Sequence, residues 1–486
     1  MRKFDTNVQV LKYDVLKEVS NVAFDDKGPE SLLDIPKKIV PGPEATMRCC
    51  IYKERAIVEE RIKLALGGDK ENPNVIEVLN IACDECPVNH YTVGESCRGC
   101  IAHRCMNVCP VGAISIDAHQ HAKIDQDKCI ECGRCAGVCP FSAISKSSRP
   151  CEKSCKINAI SMDENKKAKI DNSKCISCGA CVYQCPFGAI VDKSFITDVI
   201  KMLKESEGNT KYKVYATIAP SIASQYSDVK IGQVVSGIKK LGFADVIETA
   251  LGADIVADSE ARELAEKGTL TSSCCPAFVY YIKKSFPKLE SYISHNLSPM
   301  GAVGRFIKQV DPTAKVVFIG PCTAKKMEFQ EERVRPYIDS VITFEELQAL
   351  LDSREIDLEN LEESQLDNAS FYGRIFARSG GVATAVEQAL KENGITEEQF
   401  PFCPVSCNGI EECKVALLKL QKGVLKENFI EGMACVGGCI GGAACLTHEP
   451  KNKNEIDKYG KESMEQTISG AIKVVELAQK EIRGKE

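Results

Sequence analysis

The residues most able to do chemistry in this chain are its cysteines. Of 486 residues, 27 are cysteine and none is tryptophan. Sixteen of the cysteines fall within residues 81–195, mostly in C-x-x-C steps. Such steps let one loop turn several thiolates onto a shared metal group. The N-terminal stretch MRKFDTNVQVLKYDVLKEV has no apolar core and no small-residue cleavage site, so it does not read as a secretion signal. A cytoplasmic location is therefore expected, where thiols stay reduced and the spacing points to ligands rather than disulfides.

Two runs fit the bacterial ferredoxin pattern C-x2-C-x2-C-x3-C-P: Cys129/Cys132/Cys135/Cys139 before Pro140, and Cys175/Cys178/Cys181/Cys185 before Pro186. A third run, Cys97/Cys100/Cys105/Cys109 before Pro110, carries a two-residue insertion. A tight loop wraps three thiolates around one cubane, the proline ends the loop, and the fourth thiolate reaches the neighbouring cluster. A shift of 46 residues lays Cys105, Cys109, Cys129, Cys132, Cys135 and Cys139 onto Cys151, Cys155, Cys175, Cys178, Cys181 and Cys185. The zone is thus a duplicated module.

The second copy lacks its first two cysteines, and only the Cys83/Cys86 pair is left to supply them. Exchange of the fourth cysteine then predicts four 4Fe-4S clusters. They are Cys97/Cys100/Cys105 with Cys139, Cys129/Cys132/Cys135 with Cys109, Cys175/Cys178/Cys181 with Cys155, and Cys83/Cys86/Cys151 with Cys185. Zinc also uses C-x-x-C pairs and stands as the alternative at Cys83/Cys86. His103, inside the third run, reads as a surface histidine tuning cluster hydration.

The elements that must hold these loops divide the chain in three. Residues 1–80 form a mixed, partly helical segment, with a helix expected over 52–66 whose apolar positions are Ala56, Ile57, Ile62, Leu64 and Leu66. Residues 81–195 form the duplicated ferredoxin-like α+β domain. Residues 196–486 alternate strands (213–219, 315–320) with helices (234–242), the pattern of a two-lobed α/β domain with parallel sheets. With 62 Lys and Arg against 68 Asp and Glu, no field recruits nucleic acid, and no run of 18 apolar residues spans a membrane.

Three motifs lie beyond residue 270: TSSCCPAF (271–278), GPCTAKKMEF (320–329) and EGMACVGGCIGGA (431–443). Singly they are bland, since adjacent cysteines are commonly buried small hydrophobes. Together, in this order and behind a polyferredoxin, they resemble the signature motifs of the iron-only (di-iron) hydrogenases, enzymes of anaerobic metabolism. The resemblance implies reversible conversion of protons and electrons to H₂. Cys275, Cys322, Cys435 and Cys439 would hold a catalytic 4Fe-4S cluster, bridged through Cys439 to a di-iron subsite carrying CO, CN and dithiolate ligands. Lys325 would hydrogen-bond a cyanide. Cys274, with a thiol pKa shifted from about 8.5, would exchange protons, and the route outward would run through Glu263, Ser294 and Glu260. The implied partners are a ferredoxin or flavoprotein electron carrier and cluster maturation proteins. A hydrogen sensor and a non-catalytic hydrogenase-like iron–sulfur protein are the rival implications.

The chain departs from the commoner pattern at Phe278 (tryptophan there), Gly320 (methionine), Met300 (glutamine) and in the continuation GGAACLTHEP. Met300 is expected to pack into the volume beside Gly320. Cys49, Cys50, Cys403, Cys407, Cys413 and Cys445 have no ligand role in the pattern and read as buried, unreactive thiols.

Overall fold

A computed structural model describes residues 4–86 and 91–483. Two parallel sheets build the domain beyond residue 196. The larger has the order Asp245–Glu248, Val214–Ile218, Lys315–Gly320, Ser340–Thr343, and the smaller has the order Leu270–Thr271, Phe429–Met433, Pro404–Asn408. All pairings in both are parallel. Lys315–Gly320 is buried on both faces, which is why it reads as an unbroken apolar run. Helices cover both sheets, and Thr249–Lys267 packs against Pro299–Val310 and Gly381–Glu392. This is the two-lobed α/β domain with parallel sheets that the alternation predicts.

The helix expected over 52–66 spans Ile51–Ala65. Ile57, Ile62 and Leu64 are buried, whereas Leu66 caps the helix and is exposed.

The α+β ferredoxin-like zone repeats its hairpins as well as its cysteines. Ile114–Ile116 pairs with Ala122–Ile124, and 46 residues on Ile160–Met162 pairs with Ala168–Ile170. The remaining pairs explain the broken repeat. Ile144–Lys146 takes Tyr91–Val93 as its partner, but its counterpart Ile190–Asp192 takes Ile76–Val78, from before the first module. The first module is therefore inserted within the second, and Cys83 and Cys86 follow the strand that the second module claims.

Candidate active site

Each candidate ligand of the third zone lies just beyond the C-terminal end of a parallel strand. Cys275 follows Leu270–Thr271, Cys322 follows Lys315–Gly320, and Cys435 and Cys439 follow Phe429–Met433. Open parallel sheets place their ligand sites at this edge. Cys275 and Cys322 also cap the helices Pro276–Ser285 and Thr323–Glu328, so backbone N–H groups face their sulfurs. Those donors favour thiolate. Between Cys435 and Cys439, Gly437 and Gly438 adopt φ of 87° and 85°, and a Cβ at Gly438 would stand 2.7 Å from Ser379 N. Only glycine fits that turn.

Burial pushes all four of these thiols up, Cys322 to about 11 and Cys439 to about 12, and the charge of Cys275 raises Cys322, Cys435 and Cys439 further. Four buried sulfurs that penalise one another's ionisation suit a cationic iron–sulfur group, which would hold them deprotonated. The donor set therefore fits a cubane.

Lys325 is buried. Its Nζ donates to Glu328 Oε2 at 2.6 Å, Ser298 Oγ at 2.7 Å and the Cys274 carbonyl at 3.4 Å. It is not a solvated surface lysine.

Cys274 is enclosed beside Glu260, Cys439 and Glu431, and burial raises its thiol well above the ordinary value. It therefore remains a thiol near neutrality. Glu260 is the group poised to titrate. Burial lifts it to about 7, although Ser273 N and Oγ both donate to its Oε1 at 2.9 Å. Its Oε2 has no hydrogen-bond partner. Ser294 Oγ donates to Glu263 Oε2 at 3.0 Å and also lies close enough to Glu260 to restrain its rise. Glu263 sits at the surface end with Lys267 at 2.7 Å and the His295 backbone. Burial is outweighed there, and its carboxyl is held below the ordinary value. The order outward is thus Cys274, Glu260, Ser294, Glu263, the reverse of that expected. Both glutamates share a face of Thr249–Lys267, but Glu260 is on the turn that meets the core.

The volume beside Gly320 is filled by the Phe318 ring, 2.5 Å from where a Cβ would stand, so Met300 is not needed there. Met300 is ordinary core in the same cluster. Cys407, Cys413 and Cys445 are buried as expected, but Cys49 and Cys403 are exposed and Cys50 is half-buried.

In the ferredoxin-like zone several of the cysteines assigned to one set lie near one another. Cys105 lies within reach of Cys100 and Cys139. Cys109, Cys129, Cys132 and Cys135 line one small cavity. Cys155, Cys175, Cys178 and Cys181 line another of about 1110 Å³. Cys86 and Cys151 both lie near Cys185, with Cys83 beside Cys86. Among the described residues no three metal-binding side chains close on a point as around a single ion. Sequence reasoning missed two cations at the last set: Arg149, 4.0 Å from Cys83 Sγ, and Arg61, near Cys185. It also missed Glu431, whose carboxylate accepts from Gly380 N at 2.8 Å and Ala383 N at 3.0 Å beside Cys274. Its one signal was its place as first residue of the third motif.

The second module meets the catalytic lobe directly. Thr323 Oγ1 donates to Ser177 O at 2.7 Å, and Cys178 lies near both Cys322 and Cys435.

Comparison with known proteins gives the family. Residues 212–443 match the family described as "Iron only hydrogenase large subunit, C-terminal domain", and residues 96–143 and 148–189 each match "4Fe-4S dicluster domain". The periplasmic Fe hydrogenase large subunit of Nitratidesulfovibrio vulgaris is 30% identical over 67% of this chain and 86% of its own length. The chain belongs to the iron-only hydrogenase family. Iron hydrogenase 1 of Clostridium pasteurianum is 29% identical over 69% of this chain, which spans 66% of that relative. The cytosolic Fe-S cluster assembly factor NAR1 of Kluyveromyces lactis is 37% identical, over 19% of this chain and 20% of its own length. Among solved structures, the FeFe-hydrogenase HydA1 from Chlamydomonas reinhardtii aligns with a TM-score of 0.47 at 20% identity, covering 57% of this chain and 93% of that one. As an iron-only hydrogenase relative with 4Fe-4S domains, the chain has no described helix long and apolar enough to cross a membrane.

Proposed function

We propose that the chain catalyses 2H⁺ + 2e⁻ ⇌ H₂, exchanging electrons with a ferredoxin or flavoprotein through four accessory 4Fe-4S clusters. One observation carries this reading: Cys275, Cys322, Cys435 and Cys439 converge with Cys274 and Lys325 beyond the C-terminal strand ends of both sheets, against the second ferredoxin-like module. Cys275, Cys322, Cys435 and Cys439 would hold a cubane with its di-iron unit of CO, CN and dithiolate ligands, and that group would supply the redox chemistry when bound.

The chain's own residues supply position and protons. Lys325, fixed by Ser298 and Glu328, presents an ammonium to an anionic ligand in a buried site, where such a hydrogen bond is strong. Cys274 carries a proton at the buried end. Glu260 accepts and returns it near neutrality, and the Ser294 hydroxyl links it to Glu263 at the surface. Cys175, Cys178, Cys181 and Cys155 would hold an electron-carrying cluster on the side of the second module that faces Cys322. Maturation proteins would build the di-iron unit.

Cys274→Ala in matured protein should keep its iron, about 22 atoms per chain, yet lose about 100-fold or more of dye-linked hydrogen turnover. Loss of the di-iron unit in this variant would make Cys274 structural and remove the relay. The likeness to the assembly factor favours a second reading, a non-catalytic iron–sulfur protein. That reading gives the relay no task, and unaltered accessory iron with no turnover in the parent chain would favour it.

A further inference from the structure

The cavity of the first module, lined by Cys109, Cys129, Cys132 and Cys135, is a copy of the larger one in the second. Of its twelve lining residues, eleven fall on residues lining the larger cavity when shifted by 46. Cys109 falls on Cys155, Val111 on Ile157, Ile130 on Ile176 and Cys132 on Cys178. What differs is the lid. In the second module this rim is docked on the catalytic lobe: Ile176 is 1% exposed and lies in one core cluster with Phe278, Ala324 and Ile410. In the first module the same positions face outward, with Ile130 60% and Val111 41% exposed and Cys132 at the surface.

We propose that this outward rim is the docking face for a soluble, acidic one-electron carrier protein, which delivers electrons to the Cys109/Cys129/Cys132/Cys135 set. The inference rests on the electron-conducting reading of the ferredoxin-like zone. In the internal copy the same rim presses its apolar edge against a second domain and brings Cys178 near Cys322 and Cys435. Charge selects the occupant. Residues 91–147 hold six Lys and Arg against five Asp and Glu, in a chain whose totals are 62 against 68. Arg134 is exposed on this rim where the docked copy has Ala180. Taking these six and five from the totals leaves 56 Lys and Arg against 63 Asp and Glu in the rest of the chain, so a carboxylate-rich carrier meets less repulsion at this module than elsewhere. The electron balance is simple: the reduced carrier loses one electron and the cluster gains one, with no bond made or broken.

The test is stopped-flow reduction of the iron–sulfur absorbance in the full matured chain, with a reduced acidic two-cubane ferredoxin as probe. Val111→Asn with Ile130→Asn should slow this reduction about tenfold, while reduction by dithionite, which needs no docking face, keeps its rate. Arg134→Glu should slow it at low salt, with the effect fading as salt rises. Ile101→Asn, at a residue 97% exposed in the other cluster's loop, should change it less than twofold. An unchanged rate in the double variant would overturn the proposal. So would a slowing confined to Ile101→Asn, or a native dimer that the double variant dissolves. Cluster reduction is read without hydrogen turnover, so failure of the hydrogenase reading would appear separately, as absent turnover with this result intact.

Discussion

Two buried charge clusters in the molecule are built oppositely. In one, Lys12 reaches Asp192 at 2.5 Å and Glu345 at 2.6 Å, and Lys326 reaches Asp192 at 2.8 Å and Glu346 at 2.9 Å. Burial alone would push Asp192 up, but the two ammonium groups hold it well below its ordinary value. Every charge has a partner, and the network ties the N-terminal helix Asn7–Phe24 to the end of the second module and to the catalytic lobe. In the other, Glu260 is just as buried but has no cation, and one oxygen lacks a partner. Its proton is therefore held with a pKa of about 7. Full pairing fixes a charge and makes a joint; incomplete pairing leaves a proton that can move.

The contrast can be broken most severely at the joint. Lys326→Ala strands Asp192 and Glu346 without one of their counter-ions in a dry interior, and should lower unfolding free energy by about 3–5 kcal/mol, read from urea denaturation. A loss below about 1 kcal/mol would mean that the network is solvated in solution.

Glu260 offers a pH signature of comparable size and particular sign. Its pKa is about 7 folded against 4.5 unfolded. Its protonated form therefore stabilises the fold fully below pH 4.5, and that contribution, about 3 kcal/mol, is lost as pH rises to 7. Glu260→Gln keeps a neutral side chain, so its stability relative to the parent should climb across that window and level off above it. A flat difference would place the Glu260 carboxyl in a wet, ordinary environment.

The smallest effect concerns the departures in the motifs. Gly320→Met should cost about 1–3 kcal/mol, because its side chain must displace the Phe318 ring, and Met300→Gln should give no relief in the double variant. Rescue beyond about 0.5 kcal/mol would show that the two positions do communicate.

Legibility in the sequence followed the range of the interactions. The two 4Fe-4S domains could be read because ligand spacing is local and recurs after 46 residues. The parallel sheets could be read because buried strands carry unbroken apolar runs such as VVFI at 316–319. The joint could not be read: Lys12, Asp192 and Lys326 are far apart in sequence, and nothing local marks them as partners. Nor could the order of the relay. A spacing of three puts Glu260 and Glu263 on one helix face, but only the packing of Thr249–Lys267 decides which turn is dry. Arg61 and Arg149 were hidden for the same reason, each looking like an ordinary surface cation until the chain folds around the Cys83 set.

The central claim, that the cysteines around Cys439 hold a hydrogen-activating cluster, is tested most directly by infrared spectroscopy of the chain after anaerobic maturation. The account predicts bands of iron-bound CO and CN that shift on exposure to H₂ and vanish in Cys439→Ser, while the accessory iron remains. Accessory iron at full level with no such bands in the matured parent chain would contradict it.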